Sequence, residues 1–221
     1  MQIGKYTYRK VDPYNEKDME KYLNMHNSLD SFLNSRANPL TEEQIKWLRI
    51  RMGATKLLPY DDEESLLYKK GLERMADEHC FVCEFDNEVI GYSFICTYHI
   101  VNGKRPNDSI GIISEIYVKD GYRSGDIAYN LLQLAIDTLL KAGKTSAMMS
   151  VQEDNPNRFL HFALADKLLN KEECKRKDGR ITTSYDLLIS DINKIKEMSS
   201  RQLAEKAIKI KRSLLKNNIL K

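Results

Sequence analysis

Residues 109–132 read Ser-Ile-Gly-Ile-Ile-Ser-Glu-Ile-Tyr-Val-Lys-Asp-Gly-Tyr-Arg-Ser-Gly-Asp-Ile-Ala-Tyr-Asn-Leu-Leu. The apolar run that ends at Val118 predicts a β-strand, and the polar residues after it predict a tight turn into an amphipathic helix that begins near Asp126. The first N–H groups of a helix lack intrahelical partners, and the helix dipole favours an anion beside them. This stretch therefore predicts a loop that holds a phosphate group, although Asp126 puts a carboxylate where such loops prefer glycine.

The elements around this stretch predict a mixed α/β domain with a helical insertion early in the chain and a parallel crossover late in it. The predicted strands are 6–11, 80–84, 89–98, 110–118, 145–151, 172–177 and 181–189. The predicted helices are 15–27, 41–53, 61–76, 127–140 and 156–169, and a polar loop is expected at 102–108.

Short polar motifs predict several boundaries of these elements. Thr41 and Gln44 have the spacing of a capping box at the start of the second helix. Residues 86–88 and the dipeptide Asp178-Gly179 predict hairpin turns. Pro156 suits the first turn of a helix, because its missing N–H would have had no partner there.

The composition is typical of a soluble protein. Charged residues make up 30% of the 221 residues, and the mean hydropathy is −0.53. No apolar run approaches the roughly 20 residues that are needed to span a bilayer. The N-terminus lacks the apolar core of a signal peptide. We therefore expect a cytoplasmic protein without a transmembrane segment.

Cys80 and Cys83 form a C-x-x-C pair, which in some proteins binds a metal or carries out redox chemistry. The pair lies within His-Cys-Phe-Val-Cys-Glu-Phe, an apolar stretch that predicts a strand, and cysteine packs well as a small core residue. We therefore favour strand packing and expect no metal.

The C-terminal segment, residues 191–221, differs in charge from the rest of the chain. It contains nine Lys or Arg against three Asp or Glu, whereas residues 1–190 contain 26 against 29. Ser199 and Gln202 predict a capping box, followed by apolar residues at helical spacing. We expect a domain at 1–190, with its helical insertion at about 15–76, and a basic amphipathic helical tail at 191–221. The favoured role of the tail is docking on its own domain or on a second subunit as a homodimer; contact with nucleic acid or with an anionic membrane surface are the alternatives.

The sequence over about residues 6–190 resembles the GNAT superfamily of acyl-CoA-dependent N-acetyltransferases. The resemblance is sharpest at residues 113–128, where the family's loop reads Arg/Gln-x-x-Gly-x-Gly/Ala. Arg123 matches the first position and Ala128 the last, while Asp126 stands at the central glycine with Gly125 one position earlier. Residues 155–163, Asn-Pro-Asn-Arg-Phe-Leu-His-Phe-Ala, resemble the stretch that follows the family's fifth strand.

This resemblance implies a central, mostly antiparallel sheet flanked by helices, with a parallel pair formed by the family's fourth and fifth strands, which splay apart. The tail would then be a C-terminal helical extension. The implied activity is transfer of an acetyl group from acetyl-CoA, the acyl donor, to a primary amine of a small molecule or a protein. The alternative is a GNAT-fold binding or regulatory module with weak or no catalysis, associated with nucleic acid through the basic tail.

The resemblance also implies the residues that bind coenzyme A. Its pyrophosphate would lie on backbone N–H groups of the loop, and its pantetheine arm would run beside the end of the strand, bonded through the backbone. The implied cofactor-binding residues are Ile116, Tyr117, Val118, Arg123, Ser124, Gly125, Asp126, Ile127, Ala128 and Asn155.

Two residues are candidates for proton transfer. The family often carries an acidic residue near the end of its fourth strand, and Glu115 is the candidate general base here, acting directly or through water. The family's usual general acid is a tyrosine in the helix after Asn155, but His161 and Phe162 occupy that place. His161 is therefore the candidate acid, and its loss would be tolerable because the thiolate of coenzyme A is a fair leaving group.

Overall fold

The computed structural model describes residues 1–27, 41–53, 74–100, 109–123, 126–175 and 179–216. The chain divides into two units, Met1–Lys144 and Thr145–Lys221. The predicted loop at 102–108 and the predicted helix over residues 61–73 lie outside the described residues.

Among its described residues, the first unit has five strands and three helices. The strands are β1 (Gln2–Ile3), β2 (Tyr6–Lys10), β3 (Arg74–Phe85), β4 (Glu88–Ile100) and β5 (Ile110–Val118), and the helices are α1 (Glu16–Asn27), α2 (Glu42–Gly53) and α3 (Ile127–Lys141). The strands follow one another in chain order, and each neighbouring pair is antiparallel. Asp86 and Asn87, with φ of 50° and 64°, form the predicted β3–β4 turn in the left-handed conformation that short polar residues tolerate.

The two faces of this sheet are covered by different helices. One face packs against α1 and α2 through a cluster that includes Met19, Tyr22, Tyr92 and Phe94. The other packs against α3 through a cluster that includes Tyr8, Ile90, Ile127 and Leu131. The predicted capping box of α2 is confirmed: the Gln44 N–H donates to Thr41 Oγ1 at 3.2 Å, and the Thr41 N–H donates to Gln44 Oε1 at 2.9 Å.

The structure confirms that Cys80 and Cys83 are buried strand residues. Cys80 belongs to the cluster beneath α1 and α2, and Cys83 belongs to the cluster beneath α3. The two thiols therefore lie on opposite faces of β3. Burial raises the pKa of both, that of Cys83 to about 11.

The second unit has three strands and three helices among its described residues. These are β6 (Ser146–Gln152), α4 (Arg158–Leu164), β7 (Lys167–Lys175), β8 (Ile181–Ile189), α5 (Ile192–Glu197) and α6 (Ser200–Lys216). β8 lies between β6 and β7 and is antiparallel to both.

Two predicted helices were too long. Residues 74–76, expected at the end of the third helix, are in β3, where Arg74 faces Ile100 of β4 in the ladder. The helix predicted at 156–169 ends at Leu164, because the chain turns at Asp166 into β7. The Asp166 N–H donates to the Leu188 carbonyl at 3.0 Å, and its carboxylate accepts from the Ser190 hydroxyl at 2.6 Å. Strand pairing with β8 therefore overrides the helical periodicity of residues 167–169.

The C-terminal tail forms α5 and α6. The predicted capping box is present, with the Ser199 N–H donating to Gln202 Oε1 at 2.8 Å. On the apolar side of the tail, Ile192, Ile195, Leu203 and Ala207 are buried, and α6 packs against α4. Lys211 Nζ lies 5.6 Å from the ring centroid of Phe159 in α4. A separate domain boundary at residue 190 stays a prediction. Across the described residues, every helix is too short or too polar to cross a membrane.

Candidate active site

The end of β5 places Glu115 on the face of the sheet that α1 and α2 cover. Glu115 faces Phe94 across the β4–β5 ladder, and Tyr117 faces Tyr92. The register then shifts so that Ile95 faces Ile113, which leaves Ser114 without a cross-strand partner in the described ladder. A bulge of this kind interrupts the regular alternation of side chains along a strand.

The Glu115 carboxylate is held by a buried tyrosine. The Tyr92 hydroxyl donates to Glu115 Oε2 at 2.8 Å, and Tyr92 is 0% exposed. Glu115 itself is half-buried. Sequence reasoning missed this contact because Tyr92 reads only as an apolar position of β4. Its role depends on the register between two strands, which the sequence leaves open.

Arg123, after the end of β5, is tied back onto the strand. Its Nε donates to the Val118 carbonyl at 2.9 Å, and its Nη1 lies 2.7 Å from Asp120 Oδ1. Its guanidinium carbon lies 5.5 Å from the ring centroid of Tyr117. Arg123 therefore fixes the path of the chain where it leaves β5 and keeps a positive charge there.

The N-terminus of α3 follows this turn. Asp126 occupies the N-cap position, with φ of −87° and ψ of 2°, and within the described part of the chain its exposed side chain makes no capping hydrogen bond. The Asp126 carboxylate therefore does not act as a helix cap in this geometry. Ile127 and Ala128 begin the helix, while Ser124 and Gly125 lie outside the described residues.

A close approach of β4 sets the position of this helix start. A Cβ added at Gly91 would lie 2.9 Å from the Tyr117 carbonyl oxygen and 3.4 Å from Ile127 Cγ2. Only glycine therefore lets the end of β5 and the first turn of α3 lie so close to β4. First-turn N–H groups that receive no acceptor from the N-cap side chain fit a pyrophosphate, and the charge of Asp126 opposes it.

Asn155 and His161 lie in the second unit, which is described by itself. Asn155 Oδ1 accepts the Asn157 N–H at 2.8 Å, and its carbonyl oxygen accepts from Arg158 Nη1 at 3.3 Å. His161 Nδ1 lies 3.2 Å from the Asn157 carbonyl oxygen, and burial lowers the pKa of the imidazole. Because a carbonyl only accepts, this contact requires a proton on Nδ1.

Known proteins share this architecture, and one family in particular matches the sequence. Residues 43–161, more than half of the chain, match the model of the acetyltransferase (GNAT) family. The chain belongs to the GNAT family. It is therefore an acyltransferase, of a family whose members use acyl-CoA. No curated protein sequence matches the chain.

Solved structures confirm the predicted GNAT-like, mixed α/β fold. A proposed acetyltransferase from Salmonella typhimurium, solved with its cofactor acetyl-CoA, is 16% identical, with a TM-score of 0.56 and coverage of 84% of this chain and 93% of that one. Ribosomal-protein-alanine N-acetyltransferase from Brucella melitensis is 17% identical, with a TM-score of 0.55 and coverage of 82% and 98%. A proposed phosphinothricin N-acetyltransferase is 19% identical, with a TM-score of 0.55 and coverage of 83% and 96%.

Proposed function

We propose that this GNAT enzyme transfers an acetyl group from acetyl-CoA to a primary amine. The observation that carries the proposal is the Glu115 carboxylate, half-buried on β5 and held by the Tyr92 hydroxyl at 2.8 Å. A primary amine is protonated at neutral pH and must lose a proton before its lone pair can attack a thioester carbonyl. A fixed carboxylate both attracts such an ammonium group and accepts its proton, directly or through one water.

The end of β5 and the start of α3 would hold the acyl donor, which supplies the thioester. Backbone groups of residues 116–118 would bind its pantetheine arm in the manner of an added strand. Backbone N–H groups between Arg123 and Ala128 would bind its pyrophosphate, helped by the positive charge of Arg123. Asn155 would act by shaping the turn before α4, since its side-chain oxygen is engaged with the Asn157 N–H.

His161 is the weaker of the two candidates for proton transfer. Its lowered pKa favours the neutral imidazole at pH 7, and its Nδ1 proton is directed to the Asn157 carbonyl. The remaining nitrogen, Nε2, then accepts protons rather than donates them. We therefore expect the thiolate to leave with little help from His161.

Two acceptor classes fit this proposal. Proteins of the same fold are named for a ribosomal-protein alanine and for the small molecule phosphinothricin, and the acceptor of this chain is either a small amine or a protein amine. The buried apolar side of α5 and α6 supports docking of the tail on its own domain. The alternative roles of the tail, residues 191–221, are formation of a homodimer and contact with nucleic acid.

Calorimetric titration of the full chain with acetyl-CoA is the first test, followed by measurement of thiol release with a panel of polyamines, aminoglycosides and short peptides. We expect saturable binding and acetylation of at least one primary amine. Absence of binding at millimolar acetyl-CoA, or thiol release without any acetylated amine, would contradict the proposal.

A further inference from the structure

Tyr92 is placed to control the Glu115 carboxylate. It comes from β4, 23 residues earlier in the chain, and its hydroxyl donates to Glu115 Oε2 at 2.8 Å. Its ring is 0% exposed and has aromatic neighbours on two elements. Tyr22 of α1 packs edge-on with centroids 5.5 Å apart, and Tyr117 of β5 lies at 6.0 Å. A ring held in this way has little rotational freedom, so its hydroxyl points in one direction.

We propose that Tyr92 is a positioning residue for the acetyl-transfer reaction, which fixes the Glu115 carboxylate in the orientation and charge state that a base requires. The inference rests on the proposed role of Glu115 as the general base. It adds Tyr92, a residue of another strand, which acts on Glu115 and does not act on the substrates.

The physical effect of this contact has a definite sign. A hydrogen bond donated to a carboxylate stabilises its charged form and lowers its pKa, whereas burial has the opposite effect. In the proposed role, the Tyr92 hydroxyl favours the ionised form of this half-buried carboxylate and opposes the effect of burial. The hydrogen bond also removes rotamer freedom from Glu115, which would otherwise be lost when the acceptor binds.

This face of the sheet carries other titratable groups besides Glu115. They include the hydroxyls of Tyr22 and Tyr117, the Cys80 thiol and the Glu78 carboxyl of β3, the Arg123 guanidinium over the Tyr117 ring, and the ion pairs of Arg9 with Asp18 and Glu84 beside α1. All of them remain unchanged when Tyr92 is replaced by phenylalanine. The variant Tyr92→Phe therefore isolates the hydroxyl, since its ring keeps the packing against Tyr22 and Tyr117.

The test is a carboxyl-carbon NMR titration of the full chain labelled with ¹³C at the glutamate carboxyl group. The Glu115 signal is assigned by its absence in Glu115→Gln. We expect Tyr92→Phe to move the Glu115 midpoint upward by roughly one pH unit, the size expected for a lost hydrogen bond to a charged group. The acid limb of kcat/KM, measured with one acceptor for all variants, should move by the same amount, so that activity is restored at higher pH.

Tyr8→Phe is the matched control. Tyr8 is 1% exposed, lies on the opposite face of the same sheet and accepts a hydrogen bond from Asn130 Nδ2 at 3.1 Å. Its replacement also removes a buried hydroxyl that makes a hydrogen bond, but should leave the Glu115 midpoint unchanged. Equal shifts in both variants would overturn the proposal, because they would report general loosening of the sheet.

A second replacement covers the case in which Tyr92→Phe does not fold. Tyr92→3-fluorotyrosine preserves the shape of the side chain and makes the hydroxyl a stronger donor, so the Glu115 midpoint should fall. An unmoved midpoint in either variant overturns the role of Tyr92. If the midpoint moves but Glu115→Gln retains full turnover, the contact exists and the assignment of Glu115 as the base is wrong.

Discussion

The two strand–turn–helix segments of this chain differ in how their turns satisfy backbone polar groups. After β5, α3 runs for 15 residues, and within the described part of the chain its N-cap residue Asp126 makes no capping hydrogen bond. After β6, α4 has 7 residues, and within the described part of the chain its N-cap residue Asn157 likewise makes no side-chain capping hydrogen bond. Here, however, the Asn155 side chain accepts the Asn157 N–H, and the Asn155 carbonyl accepts the Arg158 N–H at 3.0 Å. Within the described residues, the Asp126 side chain therefore satisfies no N–H group of the first helix, whereas the turn before the second helix is satisfied from within.

The sequence alone presents the two segments as similar, but this difference between their turns indicates that they have different roles. Both segments contain candidate residues, and the first also contains a carboxylate that is held by a buried donor. The second segment contains a neutral histidine and an asparagine that stabilises its own turn. We therefore expect chemistry and cofactor affinity to depend on the first segment, and local stability to depend on the second.

The largest effect is expected when the proposed base is removed. Glu115→Gln should lower kcat by about 10²–10⁴-fold, the usual contribution of a general base, with little change in the affinity for acetyl-CoA. His161→Ala, from the second segment, should lower kcat much less. Steady-state kinetics and acetyl-CoA titration of both variants check this. If the two variants lost activity equally, the functional contrast between the segments would fail.

A smaller effect is expected at the point where β4 approaches the first segment. Gly91→Ala places a methyl group 2.9 Å from the backbone oxygen of Tyr117, which cannot rotate away. The overpacking should lower the free energy of unfolding by about 1–3 kcal/mol. It should also weaken acetyl-CoA binding, because β5 and the start of α3 must separate from β4. Denaturant unfolding and calorimetry measure the two effects; wild-type affinity in a destabilised variant would show that the helix position is unimportant for binding.

The charge at the start of α3 should alter affinity by a modest factor. Asp126→Asn removes the negative charge without removing a capping hydrogen bond, so acetyl-CoA should bind several-fold more tightly, and the gain should shrink as salt screens the charge. Asn155→Ala should instead cost about 0.5–1.5 kcal/mol of stability through its lost turn hydrogen bond, with a smaller effect on affinity. If Asn155→Ala changed the affinity for acetyl-CoA more than the stability, and Asp126→Asn changed the stability more than the affinity, the roles assigned to the two turns would be wrong.

The smallest effect concerns the pH dependence of stability through His161. Burial lowers the pKa of His161 in the folded state, so below the ordinary value of about 6.5 the unfolded chain binds a proton that the folded chain does not. The stability that neutral His161 contributes is therefore fully present above about pH 6.5. It is lost as the pH falls from about 6.5 toward the lower pKa of His161 in the folded state. We expect Tm to fall less between pH 7.5 and 5.5 in His161→Gln than in the wild type. Identical Tm losses would show that the imidazole is already solvated in the folded state.

The sequence predicted much of the fold because local signals and the tertiary structure agree along most of the chain. The capping boxes at Thr41 and Ser199 and the hairpin turn at 86–87 form as expected, since each involves residues only a few positions apart. The prediction for residues 167–169 was wrong, because pairing with β8 outweighs a helical periodicity of apolar residues. Glu115 was named as a candidate through the family resemblance, and its partner Tyr92 was not, because their contact depends on strand register.

The sequence by itself determined the family of this protein, the strand–loop–helix segment from residue 110 to 141, and the candidate residues on it. The strand and helix of this segment follow from apolar periodicity and from turn residues, whose effects are local. The family and the candidate residues follow from the resemblance of residues 113–128 to a known motif. The tertiary structure alone decided that Tyr92 meets Glu115, that Cys80 and Cys83 lie on opposite faces of β3, and that α4 ends at Leu164. Each of these depends on which strands pair and in what register, a choice set by burial across distant parts of the chain.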